Sequence, residues 1–140
     1  MPPHSSHTSS DVSGSPLLLP QGALSFHEVH SVARANRPVA LSDEARLRIT
    51  RSRSALEQAL GDGEPHYGVN TGFGSFSRQR IPDADLRDLQ RNLVRSHAAG
   101  VGPPLPCDVV RGMMLLLAAS LSRGHSAVRP VVVETILAML

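Results

Sequence analysis

The apolar residues of this chain recur at the spacing of an α-helix in several segments. The clearest segment begins at Ser42, where a hydroxyl and the two acids that follow it are typical of a helix N-terminus. The positions of one helix face then recur every three or four residues, and they are Ala45, Ile49, Ser52, Leu56 and Ala59 or Leu60. The glycines of Gly61-Asp62-Gly63 predict the end of this helix.

Two weaker patterns predict helices on either side of that segment. Ser25 and Glu28 have the spacing of a capping box, which predicts a short helix that ends at about Arg34. Asp83 or Asp85 predicts the start of a later helix. One face of that helix is predicted to carry Leu86, Leu89, Leu93 and then Ser96 or His97.

The last third of the chain predicts two strongly apolar helices. The first runs from about Cys107 to Leu121 and is apolar on nearly all sides, so it is expected to be deeply buried. The second begins with Pro130 in its first turn and continues to Leu140 without a C-cap. A chain that stops inside an apolar helix is expected to be a truncated piece of a longer one.

Composition supports a mainly α fold with an aliphatic core. Aromatic residues are 3% of the chain and Trp is absent, whereas 41% of the residues are hydrophobic. Residues 1–16 are rich in Ser, Pro and His and are expected to form a disordered tail, so residues 17–140 form the predicted domain. The tail lacks the pattern of a secretory signal, and no apolar stretch reaches the ~20 residues of a membrane span.

Charge and cysteine content argue against several classes of function. All 14 basic residues are Arg and stand against 12 acids, often beside them at helical spacing, so a solvated helix surface is favoured over a nucleic-acid interface. No aromatic stacking platform accompanies them. Cys107 is the one cysteine, and no Cys/His cluster has zinc spacing, so we expect no metal and a reduced, cytoplasmic location.

A glycine-rich loop is predicted between Glu64 and Pro82. It contains Tyr67-Gly-Val-Asn-Thr-Gly-Phe-Gly74, with the only tyrosine of the chain and three glycines that allow sharp turns. Asn70 and Thr71 are expected to lock the loop through side-chain hydrogen bonds. The segment fits a catalytic loop with Tyr67 as a proton-transfer group, but the pattern by itself slightly favours a surface loop with a packed tyrosine. A phosphate site is disfavoured because no P-loop lysine follows.

The second unusual segment is Asn92-Leu-Val-Arg-Ser-His-Ala-Ala-Gly-Val-Gly102. His97 lies on or beside the apolar face of the predicted helix. A single histidine in such a place is more often a packed core residue than a ligand, so this segment does not by itself predict a site.

Together the two segments closely resemble the start of the ammonia-lyase family that uses a methylidene-imidazolone group. The lead-in segment Gly22-Ala-Leu-Ser25 also matches the family. The similarity as a whole extends over roughly residues 17–140. It implies the N-terminal helical domain of the fumarase/aspartase-like helical superfamily, truncated before the central helical bundle. Three departures from the family pattern are the apolar stretch near Leu117, where a charged residue is common, His125, where an aromatic residue is common, and Ala127, where glycine is common.

The resemblance implies roles for four residues. Tyr67 corresponds to the catalytic base, and Gly74 to a residue that lines the substrate pocket. Ser96 and His97 correspond to the pair that contacts the substrate side chain; Ser-His resembles the histidine branch, whereas the tyrosine and phenylalanine branches have His-Leu and Phe-Leu. A free phenol is mostly protonated at neutral pH, so the site must favour the phenolate, with Arg78 or Arg95 as a candidate contributor.

The implied reaction is the non-oxidative elimination of ammonia from L-histidine to give urocanate, by a cytoplasmic homotetramer with active sites shared between subunits. The family forms its methylidene-imidazolone group from Ala-Ser-Gly, and that triad does not occur in these 140 residues. The chain alone is therefore expected to be inactive. The alternatives are a tyrosine or phenylalanine ammonia-lyase, an aminomutase of the same family, or a truncated non-catalytic paralogue.

Overall fold

A computed structural model describes residues 14–19 and 22–140 of the chain. Two short strands and five α-helices follow one another in these residues, in the order β1 Leu17–Leu19, α1 Phe26–Ala33, β2 Val39–Leu41, α2 Asp43–Ala59, α3 Leu86–His97, α4 Cys107–Leu121 and α5 Pro130–Met139. The predicted helices are all present, and the mainly α fold class is confirmed. Most of the predicted tail, residues 1–13, lies outside the described residues, so its disorder stays a prediction.

The two strands were not predicted from the sequence. They pair in parallel, with Leu17 opposite Val39 and Leu19 opposite Leu41. β1 buries Leu17 and Leu19 and exposes Leu18. Three residues are too few for the alternation of a strand to stand out from a run of leucines, because only one full period is present.

The described residues form two compact units. One contains residues up to 54 together with 105–140, and the other contains residues 55–104. The core of the first unit is wholly aliphatic, as the composition predicts, and consists of Leu17, Leu19, Val32, Ile49, Leu115, Ala118, Val133 and Ile136. Each large side chain buried there contributes about 1.5–3 kcal/mol of hydrophobic stabilisation.

Capping residues define the helix ends where the sequence indicates. Ser25 N–H donates to Glu28 Oε2 at 2.8 Å, and Glu28 N–H donates to Ser25 Oγ at 3.3 Å, which completes the predicted capping box of α1. Ala45 N–H donates to Ser42 Oγ at 3.2 Å at the start of α2. Pro130 occupies the first turn of α5, where its missing N–H costs no helical hydrogen bond.

Helix α4 is less buried than its composition predicts. Only Leu115 and Ala118 are buried, on the face that packs in the core between α1 and α5. The opposite side exposes Val109, Met113, Leu116 and Leu117. The expectation of deep burial is therefore wrong for this chain, because the contacts of α4 with α1 and α5 cover only one of its faces.

No helix within residues 14–19 and 22–140 is long and apolar enough to span a bilayer.

Candidate functional site

The loop between α2 and α3 is folded back on itself. It begins where a 3₁₀ turn, Leu60–Asp62, ends at Gly63. Further along, an isolated antiparallel bridge joins Thr71 to Arg80. Ile81 N–H donates to the carbonyl of Asn70 at 2.9 Å and so holds the second half of the loop against the first.

Two buried polar side chains fix the backbone near Tyr67. Asn70 is 2% exposed and Thr71 is fully buried. The Asn70 side chain accepts a hydrogen bond from His66 N–H at 2.6 Å and donates one to the carbonyl of Glu64 at 2.9 Å. Thr71 Oγ1 accepts from Gly68 N–H at 3.2 Å. The prediction that Asn70 and Thr71 lock the loop is confirmed.

Two glycines are required by the shape of the loop. A Cβ atom on Gly72 would lie 2.6 Å from the Cβ of Phe76, which is far inside van der Waals contact. Gly74 has φ +59°, a conformation that glycine adopts at little cost and that most other residues avoid. The close turn that presents Tyr67 therefore depends on residues without a side chain.

Tyr67 lies at the surface of this loop beside an open cleft. Its side chain is 69% exposed, and its ring meets the ring of Phe73 edge to face with a centroid distance of 6.5 Å. The cleft has a volume of about 410 Å³ and is lined by Pro65, Tyr67, Gly74, Ser77 and Arg78. Of the four predicted site residues, the structure thus brings Tyr67 and Gly74 together, with the candidate Arg78 beside them.

Ser96 and His97 lie apart from that lining, in the last turn of α3. Both are exposed, so His97 is not the packed core histidine that its helical position would favour. His97 Nδ1 lies 2.9 Å from the carbonyl oxygen of Leu93. This contact, with Ser96 Oγ at 3.0 Å from the same nitrogen, favours the tautomer in which Nδ1 carries the hydrogen and Nε2 is an acceptor.

Sequence reasoning missed one polar pair in this loop. His66 Nε2 lies 3.1 Å from Asp62 Oδ1, and Glu64 N–H donates to the same oxygen at 2.7 Å. The hydrogen bond from Glu64 N–H, and then that from His66, lower the pKa of the Asp62 carboxyl. The sequence signal for this pair is an acid and a histidine four residues apart, Asp62 and His66. That spacing indicates a contact only within a helix, and Gly63 between them predicts that the helix has ended.

Comparison with known proteins places this fold in a family. The family model described as aromatic amino acid lyase matches residues 24–140. The chain belongs to the aromatic amino acid lyase family. It is 50% identical over 124 residues to the histidine ammonia-lyase of Anaeromyxobacter dehalogenans, and 52% identical over 117 residues to that of Deinococcus radiodurans. These matches cover 89% and 84% of this chain.

A solved structure supports the lyase fold directly. The tyrosine aminomutase of Streptomyces globisporus superimposes with a TM-score of 0.82 at 33% sequence identity, over 89% of this chain and 24% of that one. The match confirms the predicted helical lyase fold. This chain spans about a quarter of the length of the curated relatives it matches, since it covers 24% and 22% of the two ammonia-lyases.

The family that the sequence resembles uses a methylidene-imidazolone group formed from Ala-Ser-Gly, and that triad is not among these 140 residues. The cleft beside Tyr67 is lined by Pro65, Gly74, Ser77 and Arg78, none of which supplies the triad.

Proposed function

We propose that this chain is the N-terminal part of a histidine ammonia-lyase, an enzyme that eliminates ammonia from L-histidine to give urocanate. The observation that carries the proposal is the identity of about one half with two curated histidine ammonia-lyases over most of the chain. The loop between α2 and α3, called the Tyr67 loop below, has two buried polar side chains and two glycines that its shape requires. These features support a site in which the Tyr67 side chain is held in a defined position.

Tyr67 is the proposed base of this elimination. Its oxygen takes the proton from the β-carbon of the substrate, the electron pair of that C–H bond forms the Cα=Cβ double bond, and ammonia leaves from the α-carbon. The exposure of the ring beside an open cleft gives a substrate access to the hydroxyl. Gly74 lines the same cleft without a side chain and so leaves room for the substrate backbone.

Ser96 and His97 are the proposed specificity residues. In the tautomer with the hydrogen on Nδ1, His97 Nε2 is an acceptor, which suits the N–H donor of a second imidazole. Leu93 holds the other ring nitrogen through its carbonyl, so the orientation of the donor and acceptor sites is fixed. This pairing favours L-histidine over L-tyrosine and L-phenylalanine.

We propose that these 140 residues do not catalyse the reaction by themselves. The electrophile that captures the substrate would come from an Ala-Ser-Gly segment outside this chain, in a longer cytoplasmic protein that assembles as a homotetramer. The coverage of only a quarter of the relatives supports this view.

The experiment that tests the proposed function is a substrate panel on the native gene product. L-Histidine, L-tyrosine and L-phenylalanine are supplied in parallel, and ammonia and the organic products are identified. Urocanate from histidine supports the proposal, whereas coumarate or cinnamate would assign a lyase of another specificity. A product that retains its nitrogen on the β-carbon would assign an aminomutase, which the similarity to the tyrosine aminomutase favours as the second candidate. The absence of any product would favour a non-catalytic paralogue.

A further inference from the structure

A side-chain contact anchors the entrance of the Tyr67 loop. The carboxylate of Asp62, at the end of the 3₁₀ turn that follows α2, accepts from the backbone N–H of Glu64 and lies 3.1 Å from Nε2 of His66. His66 is the residue directly before Tyr67. The contact therefore links the 3₁₀ turn after α2 to the residue that precedes Tyr67, the proposed base.

The backbone of His66 makes three hydrogen bonds to the residues that follow it in the loop. Its N–H donates to Asn70 Oδ1 at 2.6 Å. Its carbonyl accepts from Val69 N–H at 3.0 Å and from Asn70 N–H at 3.2 Å. A displacement of His66 would disturb all three hydrogen bonds, and these bonds set the turn on which Tyr67 lies.

The strength of this anchor depends on the charge of the imidazole. The pKa of the Asp62 carboxyl is held low by Glu64 N–H, by His66 and, more weakly, by the positive charge of Arg80, so Asp62 remains ionised in mildly acidic solution. An imidazole gains its proton in the range between about pH 5 and 8. When the His66 imidazole is protonated, its contact with Asp62 is a charge-assisted hydrogen bond. This bond is stronger than the hydrogen bond between a neutral imidazole and the carboxylate.

We propose that His66 is a positioning residue for Tyr67, and that the Asp62–His66 contact holds the loop more tightly when the imidazole is protonated. The inference rests on the proposed function only in the role it gives to Tyr67. Asp62 on the 3₁₀ turn contacts the imidazole, and the positive charge of Arg80, on the far side of the loop, acts on the Asp62 carboxylate.

Hydrogen exchange of the native gene product tests the anchor without reference to activity. Exchange of the peptide that covers residues 64–74 is followed by mass spectrometry at about pH 5.5 and about pH 8, near the two ends of the range in which imidazoles in general gain a proton, and corrected for the intrinsic rates. The corrected exchange is expected to be about two- to fivefold slower at the lower pH, the range for a partly exposed ion pair.

Variants separate this anchor from a general effect of pH. In His66→Gln the pH dependence is expected to vanish, because glutamine donates a hydrogen bond and does not titrate. In Asp62→Asn the histidine is kept, but the pH dependence is expected to be lost with the carboxylate. His125→Gln, which changes an exposed histidine of the other unit, is the matched control and is expected to retain it.

The proposal is overturned if the wild-type peptide shows no pH dependence after correction, or if the dependence persists in His66→Gln or Asp62→Asn. A readout on catalysis distinguishes positioning from simple stability. In His66→Gln the pH profile of kcat for urocanate formation should lose one ionisation while KM for histidine changes little. A gene product that forms no urocanate but shows the predicted exchange would contradict the proposed function and leave the anchor intact.

Discussion

Tyr67 owes its position to residues that never contact the cleft. Asn70 and Thr71 are buried and satisfy the backbone of the turn, and Gly72 allows the close approach of Phe76. The role of Asn70 and Thr71 was predictable because the side chains of these residue types bond to nearby backbone. The Asp62–His66 contact was not, because it depends on how the chain turns after the end of α2.

Replacement of Tyr67 tests the proposed proton transfer. In the native gene product, Tyr67→Phe should lower kcat for urocanate formation by about 10²- to 10⁴-fold, the usual contribution of a positioned acid or base. The fold should be kept, because the lost hydroxyl belongs to an exposed ring whose edge-to-face contact with Phe73 needs no oxygen. Circular dichroism and steady-state kinetics measure both effects.

A matched control uses an exposed aromatic residue of the same loop that does not line the cleft. Phe76→Leu should leave kcat within about threefold of wild type, since its side chain is 61% exposed. Retention of full activity in Tyr67→Phe would show that another group removes the proton.

The buried amide of Asn70 should be important for stability. Asn70→Ala removes the acceptor of His66 N–H and the donor to the Glu64 carbonyl, so the free energy of unfolding should fall by about 1–3 kcal/mol. Urea denaturation of the native gene product measures the change. Asn92→Ala, at an exposed position of α3, is the control and should change the free energy of unfolding by less than about 0.5 kcal/mol. Equal effects of the two substitutions would refute the anchoring role of Asn70.

Local signals specify the helices better than they specify what covers them. The bounds of α1 and α4 follow from a capping box and from an apolar run, and both are where the sequence indicates. The burial of α4 was misjudged, since an apolar helix surface shows that a partner is favourable but not that it is present. The strands were missed because parallel pairing joins two segments that are about twenty residues apart.

The capping box of α1 predicts a pH-dependent stability. The backbone N–H of Ser25 and then its hydroxyl hold the pKa of Glu28 below its usual range. The stabilisation is therefore complete above the ordinary glutamate range and is lost as pH falls through the lowered pKa. Ser25→Ala should cost about 1 kcal/mol at neutral pH.

Urea denaturation at neutral pH and near pH 3 measures this dependence. The cost of Ser25→Ala should shrink at the lower pH to the extent that Glu28 is protonated there, because protonation of the carboxylate weakens the cap. Ser31→Ala, inside the same helix, is the control and should show no comparable change between the two pH values. A cost for Ser25→Ala that is the same at both would contradict the role given to Glu28.

Helix α4 leaves one side of its apolar surface exposed. Val109, Met113, Leu116 and Leu117 form a continuous exposed stripe on α4. Surfaces of this kind mark sites of contact with other protein. The two motifs around Tyr67 and His97 were enough to predict the family, because their spacing is long and fixed. In contrast, no pattern in the sequence identifies what would cover this stripe.

The exposed stripe should make the isolated 140-residue chain self-associate or stay molten. Light scattering and dye binding should show association that increases with concentration, and Met113→Glu should reduce it by placing a charge in the stripe. Leu47→Glu places the same charge at an exposed apolar position of α2 and should reduce association less. A monomer with a sharp, cooperative thermal transition would contradict the expectation.

The intact mass of the native gene product, purified from its source, tests most directly the claim that these residues are the N-terminal part of a longer lyase. The chain has a mass of 14.9 kDa and covers 24% of the length of a curated histidine ammonia-lyase, so a mass several times 14.9 kDa is expected. Such a product should contain Ala-Ser-Gly and convert L-histidine to urocanate. A mass near 14.9 kDa would contradict the account, because the product would then lack the triad, and Tyr67 and His97 would not belong to a working ammonia-lyase site.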